Sequence, residues 1–222
     1  MSHFTKEFTK FFEELKQNNN REWFTANKKR YEKHVKRPFE AFVSELIVKM
    51  QEYDPQCTIQ PKDAIFRIYR DIRFSKDKTP YKTNVSAVIG RGGRKEKTLV
   101  GMYVELSADH IRIYGGVYMP DKEQLYSIRQ EILYNQKEFE RLISDKAFVK
   151  YFGEVRGDKN IRLPPEFAEI QDEQPLIANK QFYYYSEIDP KLITDDGLIE
   201  ALFTRFEAGA DLRNFLLAPL TD

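Results

Sequence analysis

Residues 64–89 read AIFRIYRDIRFSKDKTPYKTNVSAVI, and within them the apolar period of the chain changes from 3.6 to 2. Upstream, large apolar residues recur at helical spacing; downstream, they alternate. Ala64 to Phe74 and Thr83 to Ile89 are predicted strands, followed by Leu99 to Leu106 and His110 to Tyr118. The Gly-rich tip Arg91-Gly92-Gly93-Arg94 and the turn Ser107-Ala108-Asp109 separate the later strands. Neither is long enough for a crossover helix, so the expected pairing is antiparallel.

Outward from this segment both flanks are helical. Phe4, Phe8, Phe11, Phe12 and Leu15 share one face of a first helix, which Asn18-Asn19-Asn20 interrupts. Asn19 with Glu22 predicts a capping-box start for a second helix through Trp23, Phe24, Tyr31 and Val35. Pro38 suits the first turn of a third, with Phe39, Phe42, Val43, Leu46, Ile47 and Met50 facing inward. On the other side, Asp121 and Gln124 predict a second capping box ahead of Leu125, Ile128 and Ile132. Phe139, Leu142 and Ile143 carry a further helix to about Tyr151. Pro164-Pro165 and Pro175 punctuate an irregular stretch before a strand from Gln181 to Ile188. Thr194-Asp195-Asp196 then opens a last helix bearing Leu198, Ile199, Leu202, Phe203 and Phe206. The expected class is α+β, an antiparallel sheet packed with N-terminal and C-terminal helices, in a single domain over residues 1–222.

Composition narrows the function classes. With 41% hydrophobic and 32% charged residues the chain is of ordinary globular character, and 17 Phe with 13 Tyr imply a core built of rings. No apolar run is long enough to cross a bilayer, and Met1 to Lys6 lacks the apolar stretch of a secretory signal. A cytoplasmic protein without a membrane partner is therefore expected. Cys57 is the single cysteine, which excludes an internal disulfide and a cysteine-based zinc site. His3, His34 and His110 lack metal-ligand spacing, and no metal site or cofactor motif is evident. Gly90-Arg91-Gly92-Gly93 fails the dinucleotide fingerprint at its third glycine. Ser75-Lys76-Asp77-Lys78 matches S-x-x-K, but the companion S-D-N and K-T-G elements of that chemistry are missing. Nothing in the sequence sets an oligomeric state.

Net charge is only +1, yet it is unevenly distributed. Residues 1–100 hold 22 Lys/Arg against 13 Asp/Glu, whereas residues 101–222 hold 14 against 22. Such asymmetry marks either an anionic partner or two halves that neutralise each other within one fold.

The local extreme runs from Arg67 to Lys97, with ten Lys/Arg against Asp71, Asp77 and Glu96, and the segment Phe66 to Lys82 opens it. On strand alternation Phe66, Ile68, Arg70, Ile72 and Phe74 share one face, and Arg67, Tyr69, Asp71 and Arg73 the other. Arg70 then lies among apolar neighbours, where a bare guanidinium costs several kcal/mol and requires a carboxylate or an anionic ligand. A bulge or helical turn near Arg70 is the alternative. Ser75 to Lys82 reads as a polar loop punctuated by Pro80. Guanidinium forks, ammonium groups, hydroxyls and loop N–H groups are what a phosphate or carboxylate needs.

Three functions follow. One is an enzyme or binding protein for a small anionic ligand, using Arg67, Arg70, Arg73, Lys76, Lys78, Tyr81 and Lys82, with Tyr69, Tyr81 or Asp71 available for proton transfer. The second is a nucleic-acid module that stacks bases on Phe66, Tyr69, Phe74 and Tyr81, a reading the near-neutral charge disfavours. The third has no ligand: the arginines pair with acids elsewhere, notably in the acidic C-terminal half, and dock the helices on the sheet.

Phe66 to Asn84 resembles the signature of domain of unknown function 2461, an uncharacterised bacterial and fungal family. Asn19-Asn20-Arg21-Glu22-Trp23-Phe24 with Asn27-Lys28, Gly115-Gly116-Val117-Tyr118-Met119-Pro120, and Ile128-Arg129 extend the likeness over most of the chain. Pro164-Pro165-Glu166 departs from it, standing where a Pro-Lys-Gly-like turn is expected. The resemblance implies a full-length single domain and assigns no activity. Gly115-Gly116 would let a ligand approach the backbone, with Tyr118 and Arg129 extending the site; alternatively they form a β-bulge, with Arg129 a surface charge.

Overall fold

The computed structural model describes residues 2–95 and 101–220. Helices α1 (Lys6–Gln17), α2 (Arg21–Ala26) and α3 (Lys28–Tyr31) lead through a π-helical turn, Glu32–Lys36, into α4 (Arg37–Met50). Then come α5 (Pro61–Ala64), β1 (Asn84–Ile89), β2 (Met102–Ser107) and β3 (Ile111–Val117). They are followed by α6 (Lys122–Tyr134), α7 (Gln136–Ile143), α8 (Lys146–Phe152) and α9 (Pro165–Ala168). Strand β4 (Phe182–Ile188) precedes α10 (Leu198–Ala208) and α11 (Ala210–Leu217). The four strands form one antiparallel sheet in the order β1-β2-β3-β4, the expected α+β class.

Most starts follow the local rules. Asp121 accepts from the Gln124 N–H while the Gln124 side chain accepts from the Asp121 N–H, a complete capping box. Pro38 lies in the first turn of α4. At α2 the cap is one residue later than expected: Asn20, not Asn19, accepts from the Trp23 N–H at 2.9 Å. Asn19 is engaged elsewhere, as shown below. The helix expected over residues 139–151 is instead two, because Asp145 caps α8 by accepting from Ala147 and Phe148. The start of the strand expected from Leu99 lies outside the described residues.

Ala64 to Phe74 is not a strand. Ile65 makes a single bridge to Ala87 of β1, and the Phe66 N–H donates to Ser86 O. The chain then leaves the sheet and folds back on itself: Tyr69 bridges Tyr81, Arg70 N–H donates to Pro80 O, and Lys82 N–H donates to Ile68 O. Burial still alternates from Arg67 to Arg73 although the ladder does not form, and it fails at Phe74, which is 95% exposed. Residues 75–79 carry nothing to bury and Pro80 has no N–H to give, so the sheet gains little by continuing here.

The described chain falls into two compact units. The first comprises Met1–Lys95, Tyr103–Arg112 and Glu187–Leu202. Its core is the predicted aromatic stripe: Phe8, Phe11, Phe12 and Leu15 of α1, and Phe39, Phe42, Val43, Leu46, Ile47 and Met50 of α4, are all buried. The second comprises Glu96–Met102, Ile113–Ser186 and Phe203–Asp222. It is organised around Tyr184, whose hydroxyl donates to Gly209 O at 2.9 Å and whose ring packs edge-on to Phe148 and Phe152.

Gly115 and Gly116 are explained within this second unit. A Cβ on Gly115 would stand 2.6 Å from the Tyr184 ring, and one on Gly116, at φ +87°, 2.2 Å from Phe182 O. The groups that approach these glycines belong to β4. Gly153 also has positive φ, +75°, but its Cβ would meet nothing within 4 Å. Gly116→Ala should therefore cost about 3 kcal/mol, combining backbone strain with a collision, and Gly153→Ala about 1 kcal/mol from strain alone. Urea unfolding of the two variants measures the difference; equal costs would contradict it.

Candidate functional site

Asn19, in the turn between α1 and α2, uses its side-chain amide as a backbone amide would be used. Its Nδ2 donates to Tyr81 O at 2.9 Å, and its Oδ1 accepts from the Tyr81 N–H at 3.1 Å. Phe24 of α2 stacks on the Tyr81 ring with centroids 4.0 Å apart and planes 14° from parallel. Tyr69 packs at an angle on both rings. Two hydrogen bonds at roughly 1 kcal/mol each and one ring pair at roughly 1 kcal/mol add to the few backbone bonds that hold this loop.

Beside this clamp lies a groove of about 390 Å³ lined by Lys16, Asn19, Arg70, Asp77, Thr79, Tyr81, Lys82, Thr83 and Asn84. Lys16 comes from α1 and is paired across the surface with Asp109 at 2.8 Å. Lys82 Nζ stands 5.2 Å from the Phe66 ring centre. Burial lowers its pKa, and Arg67 pushes the same way against Glu105. Arg70, with 26% of its side chain exposed, donates through Nη1 to Asp77 Oδ2, to Thr79 Oγ1 and, at 3.2 Å, to Thr79 O. A guanidinium, two ammonium groups, two carboxamides and two threonine hydroxyls on one concave face can hold an oxyanion.

Arg70, Tyr81 and Lys82 are the sequence-named residues in the groove. The others are placed otherwise. Arg73 forks onto Asp71 through Nε at 3.0 Å and Nη2 at 2.7 Å, an exposed pair. Lys78 Nζ donates to Ile72 O at 2.9 Å. Arg67 and Lys76 are exposed, and Tyr69 is half exposed on the aromatic cluster. The carboxylates that answer Arg70 and Arg73 are local, Asp77 and Asp71, not ones from the acidic C-terminal half.

Tyr118 and Arg129 belong to the second unit. Tyr118 is exposed and meets Tyr183 edge-on. Arg129 is 4% exposed, and so is not a surface charge. Its Nε donates to Ile177 O at 2.9 Å and its Nη2 to Asn179 O at 3.0 Å, binding the 3-10 turn Pro175–Ala178. Arg129→Ala should destabilise the fold by about 3 kcal/mol, because buried carbonyls lose their donor. Chemical denaturation tests this; a loss under about 1 kcal/mol would contradict the assignment.

Lys16, Asn19, Asp77, Thr79, Thr83 and Asn84 were not singled out as site residues from the sequence. Five of them fall within 19–24 and 66–84, two of the segments that carry the family resemblance; Lys16 is an ordinary helix-surface lysine with no such signal.

Of the groups considered for proton transfer, Asp71 and Tyr81 are both shifted away from neutrality. Asp71 is held down at about 2 by Arg73, first through the side-chain fork and then through the Arg73 N–H. Burial pushes the Tyr81 hydroxyl up. Asp77 is held at about 2 by the Thr79 N–H, Arg70 and the Thr79 hydroxyl, in that order. Because this carboxyl is depressed from 3.8, its contribution to loop order is complete above about pH 4 and is lost as pH falls through 2. NMR titration of the Asp77 carboxyl should give a midpoint near 2; a value near 3.8 would mean that the Arg70–Asp77–Thr79 contacts do not persist in solution.

The architecture defines an α+β protein with a polar, cation-lined groove next to an aromatic clamp. The chain belongs to the family described as conserved hypothetical protein, DUF2461, which matches residues 7–215. None of the curated proteins matches the chain. Among the described residues no helix is long and apolar enough to cross a membrane.

Proposed function

We propose that this protein binds a small anionic metabolite, phosphate- or carboxylate-bearing, in the groove between the Asn19–Tyr81 clamp and the start of β1. The observation that carries the proposal is that Arg70 and Lys82, both half-buried, border the same 390 Å³ recess as Lys16, Asn19 and Asn84. A recess of that volume is within the range of small-molecule sites, roughly 300–1,000 Å³. The polar lining suits an ion better than an apolar ligand. If chemistry accompanies binding, Lys82 is the favoured participant, since burial already draws its ammonium toward neutrality. A cytoplasmic setting is part of the proposal, in keeping with the single cysteine, Cys57.

Thermal shift followed by calorimetry tests it, with nucleotides, sugar phosphates, acyl phosphates and carboxylates as the panel. At least one class should stabilise the protein, and Arg70→Ala and Lys82→Ala should each weaken its binding about tenfold or more, roughly 1.4 kcal/mol, while circular dichroism stays unchanged. No response across the panel would contradict the proposal. So would binding only to oligonucleotides with a steep salt dependence, the mark of a nucleic-acid module.

A further inference from the structure

The best anion receptor in the groove is already occupied by a carboxylate of the chain itself. Arg70 Nη1 meets Asp77 Oδ2, and Arg70 Nη2 reaches Ser75 Oγ at 3.5 Å. Asp77 is presented to Arg70 by its own turn: Oδ1 accepts from Thr79 N–H at 2.9 Å, and Oδ2 from Thr79 Oγ1 at 3.0 Å. Yet 58% of the Asp77 side chain is exposed, and it sits on a loop outside any helix or strand. Across the same groove Lys82 has no carboxylate partner within salt-bridge distance among the described residues, its Nζ lying instead over the Phe66 ring.

We propose that Asp77 is a tethered competitor for Arg70, so that the groove selects a phosphomonoester dianion over a monocarboxylate. This deepens the function proposed above and rests on it. The reasoning is one of exchange. A free monocarboxylate that displaces Asp77 swaps one carboxylate for another at Arg70, against a tethered group whose effective concentration is of millimolar order. A phosphoryl group carries nearly two charges and three acceptor oxygens, so it can take Arg70 and engage Lys82 as well. Its second ionisation lies near 6, so affinity should rise between pH 5 and 7.5 while Asp77 stays ionised throughout.

Calorimetry on the full chain with inorganic phosphate and with acetate, at constant ionic strength, tests this. The wild-type protein should bind phosphate at least tenfold more tightly than acetate. Asp77→Asn retains an oxygen for the Thr79 N–H but loses the charge; it should bind both anions about tenfold more tightly, acetate gaining at least as much. Asp71→Asn removes the same charge from the same loop, from a residue paired with Arg73 outside the groove, and should change either affinity by no more than about twofold. If Asp77→Asn does not fold, Asp77→Ser serves as the second variant. Phosphate binding that Asp77→Asn leaves unchanged, or that Asp71→Asn enhances equally, would overturn the competitor role while leaving an anion groove in place. Absence of binding by either anion in every variant would overturn both proposals.

Discussion

The side-chain amide of Asn19 satisfies both the N–H and the C=O of Tyr81, and the arrangement of the basic segment depends on that contact. Residues 66–82 bury few large apolar groups; Ile68 and Tyr81 are the ones buried. A loop of this polarity does not gain enough from burial to offset the entropy of ordering it. An external amide that imitates one rung of a β-ladder, backed by the Phe24 stack, adds stabilisation that the loop's own burial does not provide. Once Tyr81 is fixed, the Ile68–Lys82 and Arg70–Pro80 backbone bonds follow, and Arg70 and Lys82 are delivered to one groove.

Two of the segments that carry the family resemblance, far apart in sequence, meet at this contact. Asn19 to Phe24 supplies the clamp, and Phe66 to Asn84 supplies what is clamped. The charges behave differently from what docking by ion pairs would require. Arg70 and Arg73 are answered within the loop by Asp77 and Asp71, so the contact that ties this loop to the α1–α2 turn is an amide pair and a ring stack. Local pairs of this exposure add little stability but set the side-chain geometry.

The N-terminal helices, α6, α10, the later strands and the aromatic face of α1 and α4 were legible because burial imposes a period on the sequence, and caps such as Asp121 and Pro38 have a local cause. The strand assigned to Ala64 to Phe74 failed for an instructive reason. Residues 67–73 alternate in burial, as a strand would, but a ladder needs a partner edge, and beyond Phe66 the chain pairs with its own return segment. Periodicity reports which side faces water, not which backbone supplies the hydrogen bonds. The cap at Asn20 was missed by one residue because Asn19 is used by Tyr81, 62 positions away, a contact no local pattern records. Arg129 was misplaced for the same kind of reason: its partners are backbone carbonyls about fifty residues downstream, and carbonyls leave no trace in residue identity. Arg70 stood out because an arginine among apolar neighbours must be answered, and the answer, Asp77, lies seven residues on.

Amide hydrogen exchange at Tyr81, Arg70 and Lys82, in the wild-type protein and in Asn19→Ala, tests the central claim most directly. If the Asn19 clamp orders the basic loop, all three amides should exchange at least tenfold faster in the variant, while amides of α1 and α4 keep their protection. Unchanged protection at Tyr81, Arg70 and Lys82 in Asn19→Ala would show that the loop holds itself and would contradict the account.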